Sequence, residues 1–166
     1  MRGKLKIAGI AFVIAVISYV YTAPYPGNTG LQRTPGVRIG GTDTLAPNDF
    51  SALNGVGVNQ TSWLLMKQGG FPSFVIYLSY VGTSEGVITA TRPDGGYWAQ
   101  RVRDGDADGW LRIGDATYAM RATEILGDER LPMLELYSAK TGLPMDRAVG
   151  GPDPLRDWEV FVWTPR

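Results

Sequence analysis

The chain has 166 residues, no net formal charge, and neither histidine nor cysteine. The missing residue types exclude disulfides, thiol nucleophiles, iron–sulfur clusters, Ser-His-Asp catalysis and histidine-ligated zinc or haem. Its 22 glycines and 11 prolines make up about a fifth of the chain, above the usual share of roughly 12%. This composition favours short strands joined by turns and speaks against a helical bundle or a coiled coil.

The first predicted element is an apolar helix at the N-terminus. Three cations precede it: Arg2, Lys4 and Lys6. The run Ile7–Tyr21 has fifteen residues and no charge, which is short for a membrane-spanning helix and typical of a signal-peptide core. Cleavage after Ala23 would place Tyr21 where a small residue is normal. The sequence therefore favours an uncleaved anchor, with a cleaved signal peptide as the alternative.

The cations also predict the orientation of this anchor. Positive flanking charge stays in the cytoplasm, so we expect a single-pass protein of the inner (cytoplasmic) membrane with its main domain periplasmic or extracellular. Small residues in the run would let helices of integral membrane partners approach: they are Ala8, Gly9, Ala11 and Ala15. Without the three cations, 13 basic and 16 acidic residues remain, which speaks against a nucleic-acid partner.

Composition divides the chain into three parts. Residues 1–23 are the predicted anchor, residues 24–48 a linker rich in glycine and proline, and residues 49–166 the folded domain. A linker of this kind has few periodic apolar positions. We expect it to lie over the domain or the membrane surface.

Within the folded domain, apolar and polar residues alternate with the period of two that predicts strands. Six strands are predicted: Trp63–Met66, Phe74–Tyr80, Gly86–Thr91, Trp110–Ile113, Ala116–Ile125 and Trp158–Trp163. Gly114 and Asp115 form a two-residue hairpin loop. The predicted fold class is mainly β (α+β): a six-stranded antiparallel barrel-like domain with one or two short helices, preceded by a single transmembrane helix.

Two helices interrupt the predicted strands. The first covers Tyr97–Arg103. The second has Asp128 as its N-cap, Pro132 in its first turns and Gly142 at its end. Its apolar side chains are expected to face one way: Leu131, Leu134, Leu136 and Tyr137.

The order of these elements resembles a known family. The stretch Gly86–Ile125, with a Tyr97-Trp98 helix and a hairpin that begins at Trp110, is similar to the split β-barrel proteins, which include pyridoxamine-phosphate oxidases and deazaflavin-dependent nitroreductases. The segment Thr42–Phe50 resembles the lead-in of uncharacterised bacterial members with a membrane anchor. The resemblance spans residues 40–165.

This resemblance implies a homodimer that holds FMN or a deazaflavin in a groove between subunits. The residues implied for cofactor binding are Lys67, Arg92 and Trp98. The family's basic phosphate clamp is reduced here, because Lys67 is the one cation in Lys67–Ser73 and a flavin phosphate normally needs at least two charged donors. Arg101 and Arg103 are further donors, Arg92 equally suits a solvated turn, and Trp98 and Trp110 suit either the core or a flavin ring.

Two functions follow from the sequence. The first is an accessory or structural subunit of a membrane protein complex, with a degenerate flavin-type split barrel outside the cytoplasm. The alternative is a membrane-tethered flavin- or deazaflavin-dependent oxidoreductase, similar to nitroreductases or quinone reductases. No catalytic residue is assigned.

One local pattern indicates a metal site. The run Asp104–Gly109 has the D-x-D-x-D-G start of a calcium loop. The expected ligands are the carboxylates of Asp104, Asp106 and Asp108, the carbonyl of Trp110, and Asp115 in place of the usual glutamate. We expect a weak structural calcium site, with a solvated acidic turn as the alternative.

Overall fold

The computed structural model describes residues 2–22, 38–58, 62–70, 73, 75–93 and 96–166. Within them lie three α-helices: α1 (Arg2–Thr22), α2 (Tyr97–Arg103) and α3 (Leu131–Thr141). The strands are β1 (Thr42–Asp43), β2 (Trp63–Gln68), β3 (Val75–Gly82), β4 (Val87–Thr91), β5 (Asp108–Ile113), β6 (Ala116–Ile125) and β7 (Glu159–Pro165). All six predicted strands are present. Phe74, the predicted start of one of them, residue 23 of the predicted anchor and residues 24–37 of the linker lie outside the described residues.

The strands form a closed antiparallel barrel. Their order is β1-β6-β5-β2-β3-β4-β7, and an additional pairing of β6 with β7 closes the sheet. β1 is a short parallel addition to the start of β6. The structure thus confirms the predicted six-stranded antiparallel barrel.

The barrel interior is filled by alternate residues of each strand. In β5 and β6, Leu111, Ile113 and Met120 are at most 2% exposed, because successive side chains of a strand point to opposite faces. Trp163 fills the centre and donates its indole N–H to Thr89 Oγ1 at 3.0 Å. Gly109 allows this packing, since a Cβ there would lie 3.0 Å from the Trp163 ring.

The barrel is incompletely paired between β3 and β4. Only Tyr80–Gly82 of β3 pairs with Val87–Thr89 of β4, whereas the preceding residues of β3 pair with β2 alone. Helix α3 packs against both strands. It buries Leu134 and Tyr137 in a second apolar cluster outside the barrel.

Helix α3 differs from its prediction at two places. Asp128 is not its N-cap, because Gly127–Arg130 forms a separate 3-10 turn and the helix begins at Leu131. Leu136 is 50% exposed, because it lies about 200° around the helix axis from the buried Leu134. The predicted end is confirmed: Gly142 is the C-cap, with a left-handed φ of 74°.

The described part of the predicted linker is bound to the barrel. Thr42 and Thr44 donate their backbone N–H groups to the carbonyls of Asp115 (2.7 Å) and Thr117 (2.9 Å). The Thr117 hydroxyl in turn donates to the carbonyl of Gly40 at 2.7 Å. These bonds fix the chain just before the folded domain along the first residues of β6.

Helix α1 exposes its described apolar side chains on all sides. Seven large ones are between 45% and 70% exposed: Ile7, Ile10, Phe12, Val13, Ile14, Val16 and Ile17. In the part of the chain that the structure describes, no helix is both long enough and apolar enough to cross a membrane.

Candidate functional site

A polar pocket of about 350 Å³ lies between the end of β2 and the loop from α2 to β5. Backbone of Gly69, Gly70 and Gly105 forms part of its wall, and Asp106, Asp108 and Arg121 supply charged groups. Small-molecule sites commonly have volumes of about 300–1,000 Å³. The pocket therefore has the size and polarity to hold a small polar molecule.

Close approach of backbone and charged groups creates this pocket. Gly70 has a φ of 76°, and a Cβ there would overlap Asp106 Oδ2 and Arg101 Nη2. Only glycine adopts this backbone conformation without strain and leaves room for both groups. The position of the Asp106 carboxylate therefore depends on Gly70.

A buried amide holds the loop that carries Asp106. Gln68 is 3% exposed, and its Nε2 donates to the carbonyls of Trp98 (2.9 Å) and Asp106 (3.0 Å). The Asp106 N–H donates to the Arg101 carbonyl at 2.9 Å. Since β2, α2 and the loop all contribute to this network, the pocket wall is fixed before any ligand arrives.

Each pocket carboxylate lies near arginine. Arg101 Nη2 is 3.4 Å from Asp106 Oδ2, with side-chain exposures of 9% and 47%. Arg121 Nε donates to Asp108 Oδ1 at 2.7 Å, and Arg166 Nη1 donates to Asp108 Oδ2 at 3.2 Å. The hydrogen bond from Arg121 is the main reason that the pKa of Asp108 is lowered from its usual value, so this carboxylate is ionised at neutral pH.

The three residues implied for cofactor binding lie in different places. Trp98 belongs to the barrel core, with its ring centre 4.6 Å from that of Phe161. Lys67 lies on β2, and its ammonium is 5.6 Å from the ring centre of the partly exposed Trp110. Arg92 donates to the Gly150 carbonyl at 2.6 Å. The structure does not bring these three side chains into one groove.

The Arg92 side chain contacts the loop before β7. Its guanidinium lies 5.6 Å from the ring centre of Trp158, and a Cβ on Gly151 would overlap it. A second bond joins Nη2 to the Val149 carbonyl at 3.3 Å. In this structure the side chain organises that loop.

Arg103 binds two glutamates at one end of the barrel. Its guanidinium donates to both Glu124 oxygens, with 2.9 Å between Nε and Oε2, and lies 2.8 Å from Glu159 Oε1. The hydrogen bond to Glu124 is the first cause of a raised Arg103 pKa. Since both glutamates are mostly buried, at 17% and 15% side-chain exposure, this cation neutralises charge that water reaches poorly.

The five predicted calcium ligands are not gathered into one shell. Asp104 accepts a hydrogen bond from Gln100 Nε2 at 2.9 Å, while Asp115 lies in the turn beyond the other end of β5, 3.3 Å from Arg112. Within the described ranges, no three acidic side chains are grouped so that they could hold a metal ion. Calcium binding by this loop stays a prediction.

Part of the pocket was open to prediction from the sequence and was missed. The predicted hairpin around Gly114 and Asp115 requires Asp108 to face Arg121, and the structure has that register. No sequence pattern indicated that Gln68 and Arg101 help to form the pocket, because their contacts depend on where α2 packs against β2. Comparison with protein-family models and with curated proteins finds no match to this chain.

Proposed function

We propose that this chain is a membrane-anchored, non-catalytic accessory subunit of a membrane complex, with its barrel outside the cytoplasm. We also propose that it belongs to the membrane-anchored bacterial branch of the split β-barrel family, on the strength of the barrel topology and the sequence resemblance. The observation that carries the functional proposal is the exposed apolar surface of α1.

Helix α1 requires apolar surroundings. Burial of a large apolar side chain stabilises a protein by about 1.5–3 kcal/mol. A helix that leaves seven of them exposed therefore lacks roughly 10–20 kcal/mol of stabilisation. A helix that is apolar on all sides is stable when other groups cover it on all sides. A bilayer, together with helices of a partner, provides such cover, and Gly9, Ala11 and Ala15 leave space for a neighbouring helix.

The ends of the helix support one orientation. Cations flank its N-terminus, and the first acidic residue of the chain is Asp43, as expected when the N-terminus stays in the cytoplasm. The uncharged run Ile7–Tyr21 is short for a span, in line with the finding on the described helices. Long basic side chains that reach the interface and local thinning of the bilayer accommodate such a short segment.

The barrel supports an accessory role better than flavin chemistry. The residues implied for cofactor binding point into the core, onto the outer face and into a loop, as described above. A flavin phosphate needs at least two convergent charged donors, which Lys67 and Arg92 do not provide.

Membrane extraction tests this proposal on the full chain, expressed in a bacterial host. We expect the protein in the membrane pellet after an alkaline carbonate wash. The variant Ile10→Lys/Ile14→Lys interrupts the apolar run at a cost of about 2.5–3.5 kcal/mol per lysine and should appear in the soluble fraction, whereas the matched control Ile10→Leu/Ile14→Leu should stay in the pellet. Release of the unmodified chain by carbonate would contradict the proposal.

The second candidate is a membrane-tethered flavin- or deazaflavin-dependent oxidoreductase. The observation in its favour is the closed six-stranded barrel, because the resemblance associates this topology with flavin binding. The visible absorption spectrum of the purified chain, before and after addition of FMN and gel filtration, separates the two candidates. A flavin band that persists in stoichiometric amount would favour the oxidoreductase.

A further inference from the structure

We infer that the pocket beside Gly70 binds a small zwitterion, a molecule that carries both an ammonium and a carboxylate group, as free amino acids do. Asp106 would receive the ammonium and Arg121 the carboxylate. This inference stands on the pocket alone and does not depend on the proposed membrane attachment.

Asp106 has unused acceptor capacity at a fixed position. A carboxylate has about four acceptor sites, and the one side-chain contact of Asp106 in the described residues is the 3.4 Å approach of Arg101. Bonds of its backbone to Gln68 and Arg101 hold the residue in place. An ammonium group in the pocket can therefore add hydrogen bonds to Asp106 without displacing an existing partner or reordering the loop.

Arg121 has unused donor capacity on the same pocket. Its Nε is engaged by Asp108 at 2.7 Å, and its side chain is 62% exposed. The terminal amines of the guanidinium therefore remain available to water or to a ligand. A guanidinium fork matches the geometry of a carboxylate better than an ammonium does, so the carboxylate end of the ligand belongs at Arg121.

Charges of both signs surround the pocket. Asp106 and Asp108 contribute two negative charges, and Arg101, Arg121 and Arg166 contribute three positive charges. A simple amine would engage Asp106 and not Arg121, and a simple carboxylate would engage Arg121 and not Asp106. A zwitterion complements both signs.

The glycines give the ligand its space. No side chain projects from Gly69, Gly70 or Gly105, and a Cβ on Gly105 would meet no atom within 4 Å. A volume of about 350 Å³ accommodates a whole amino acid with a side chain of moderate size. The backbone amides of these glycines also serve as reporters of occupancy. Two of them are hydrogen-bonded: the Gly69 N–H donates to the Asp108 carbonyl at 2.7 Å and the Gly105 N–H to the Val102 carbonyl at 3.1 Å.

Titration of the full chain in detergent micelles tests this inference, with amide chemical shifts of Gly69, Gly70 and Gly105 as the readout. L-glutamine is the zwitterionic probe, and n-butylamine and acetate each carry half of its charge pattern. We expect saturable shifts with glutamine and at least tenfold weaker binding of each half-probe. Asp106→Asn and Arg121→Gln should each weaken glutamine binding about tenfold, and Asp146→Asn, an exposed carboxylate on another loop, should leave it unchanged.

Three outcomes would overturn the inference. The first is that glutamine causes no saturable chemical-shift changes although the unmodified chain is folded under the conditions of the titration. The second is binding of n-butylamine as tight as that of glutamine, which would indicate a simple cation site, and the third is equally tight binding of acetate, which would indicate an anion site. Because the side chains of Asp106 and Arg121 are 47% and 62% exposed, both variants should fold, and unchanged shifts of barrel-core amides verify this.

Discussion

The ammonium nitrogen of Lys140 lies 3.3 Å from the centre of the Tyr80 ring. This nitrogen is buried, and no hydrogen-bond partner for it occurs among the described residues. Tyr80 belongs to the short stretch where β3 pairs with β4, and Lys140 comes from α3, which packs on both strands. Burial lowers the pKa of Lys140 to about 8, while the ring face attracts the cation and offsets part of the lost hydration.

We predict that Lys140→Met stabilises the protein at neutral pH. The substitution keeps most of the apolar volume and removes a buried, unpaired charge, and after allowance for partial solvation and the ring contact we expect a gain of about 1 kcal/mol. The measurement is the free energy of unfolding by urea. Lys67→Met, at a partly exposed lysine, is the matched control and should change stability little.

The same pair predicts a pH dependence. The folded-state pKa of Lys140 lies below that of the unfolded chain, 10.5, so the folded state binds fewer protons between these two values and its stability rises with pH there. The advantage of Lys140→Met should therefore be complete below about pH 8 and shrink as the pH approaches 10.5. A constant advantage of Lys140→Met across this pH range would show that the pKa of Lys140 is the same in the folded and unfolded states, which would contradict the prediction.

Arg103→Met should destabilise the barrel strongly. It leaves Glu124 and Glu159 mostly buried without their shared cation, and loss of one partner of a buried ionic cluster costs about 3–5 kcal/mol. The measurement is the urea midpoint of unfolding, compared with that of the unmodified chain.

The control for this variant is Arg156→Met. Arg156 pairs with Asp146 at 2.8 Å, and both side chains are more than half exposed. Exposed pairs contribute little, so its urea midpoint should match that of the unmodified chain. Equal effects of the two variants would contradict a special role for Arg103.

Gly109→Ala should lower stability by about 1–3 kcal/mol through overpacking. A Cβ there would lie 2.8 Å from the Lys67 carbonyl oxygen and 3.0 Å from the Trp163 ring, neither of which can move without disturbing the barrel. Gly55→Ala is the control, because a Cβ at that position meets no atom within 4 Å. Thermal unfolding of both variants checks the prediction, which fails if the two midpoints agree.

The period-two alternation of apolar and polar residues predicted most of the fold. The bounds of β6 are those predicted, because Tyr118, Met120 and Ala122 alternate with polar or small residues along its length. The contact of Lys140 with Tyr80 could not be predicted, because it depends on how α3 packs on β3 and β4. The pocket was predictable in part. Its acidic run forms a motif and the hairpin register places Arg121 opposite Asp108, but the approach of Arg101 depends on where α2 packs.

The acidic loop carries a testable calcium prediction. The motif predicts that calcium raises the melting temperature of the unmodified chain and not that of Asp106→Ala. Arg121 and Arg166 each bond one oxygen of Asp108, so a calcium ion would compete with them there. Equal responses of both proteins to calcium and to a chelator would contradict the calcium site.

The central claim is a barrel held outside the cytoplasm by α1, and residue-specific labelling tests it most directly. The chain has no cysteine, so a single one can be introduced at the exposed Asp146 or, in a separate variant, at Gly3. The account predicts that a membrane-impermeant maleimide labels Asp146→Cys in intact spheroplasts and labels Gly3→Cys only after lysis. Labelling of Asp146→Cys only after lysis would contradict the account.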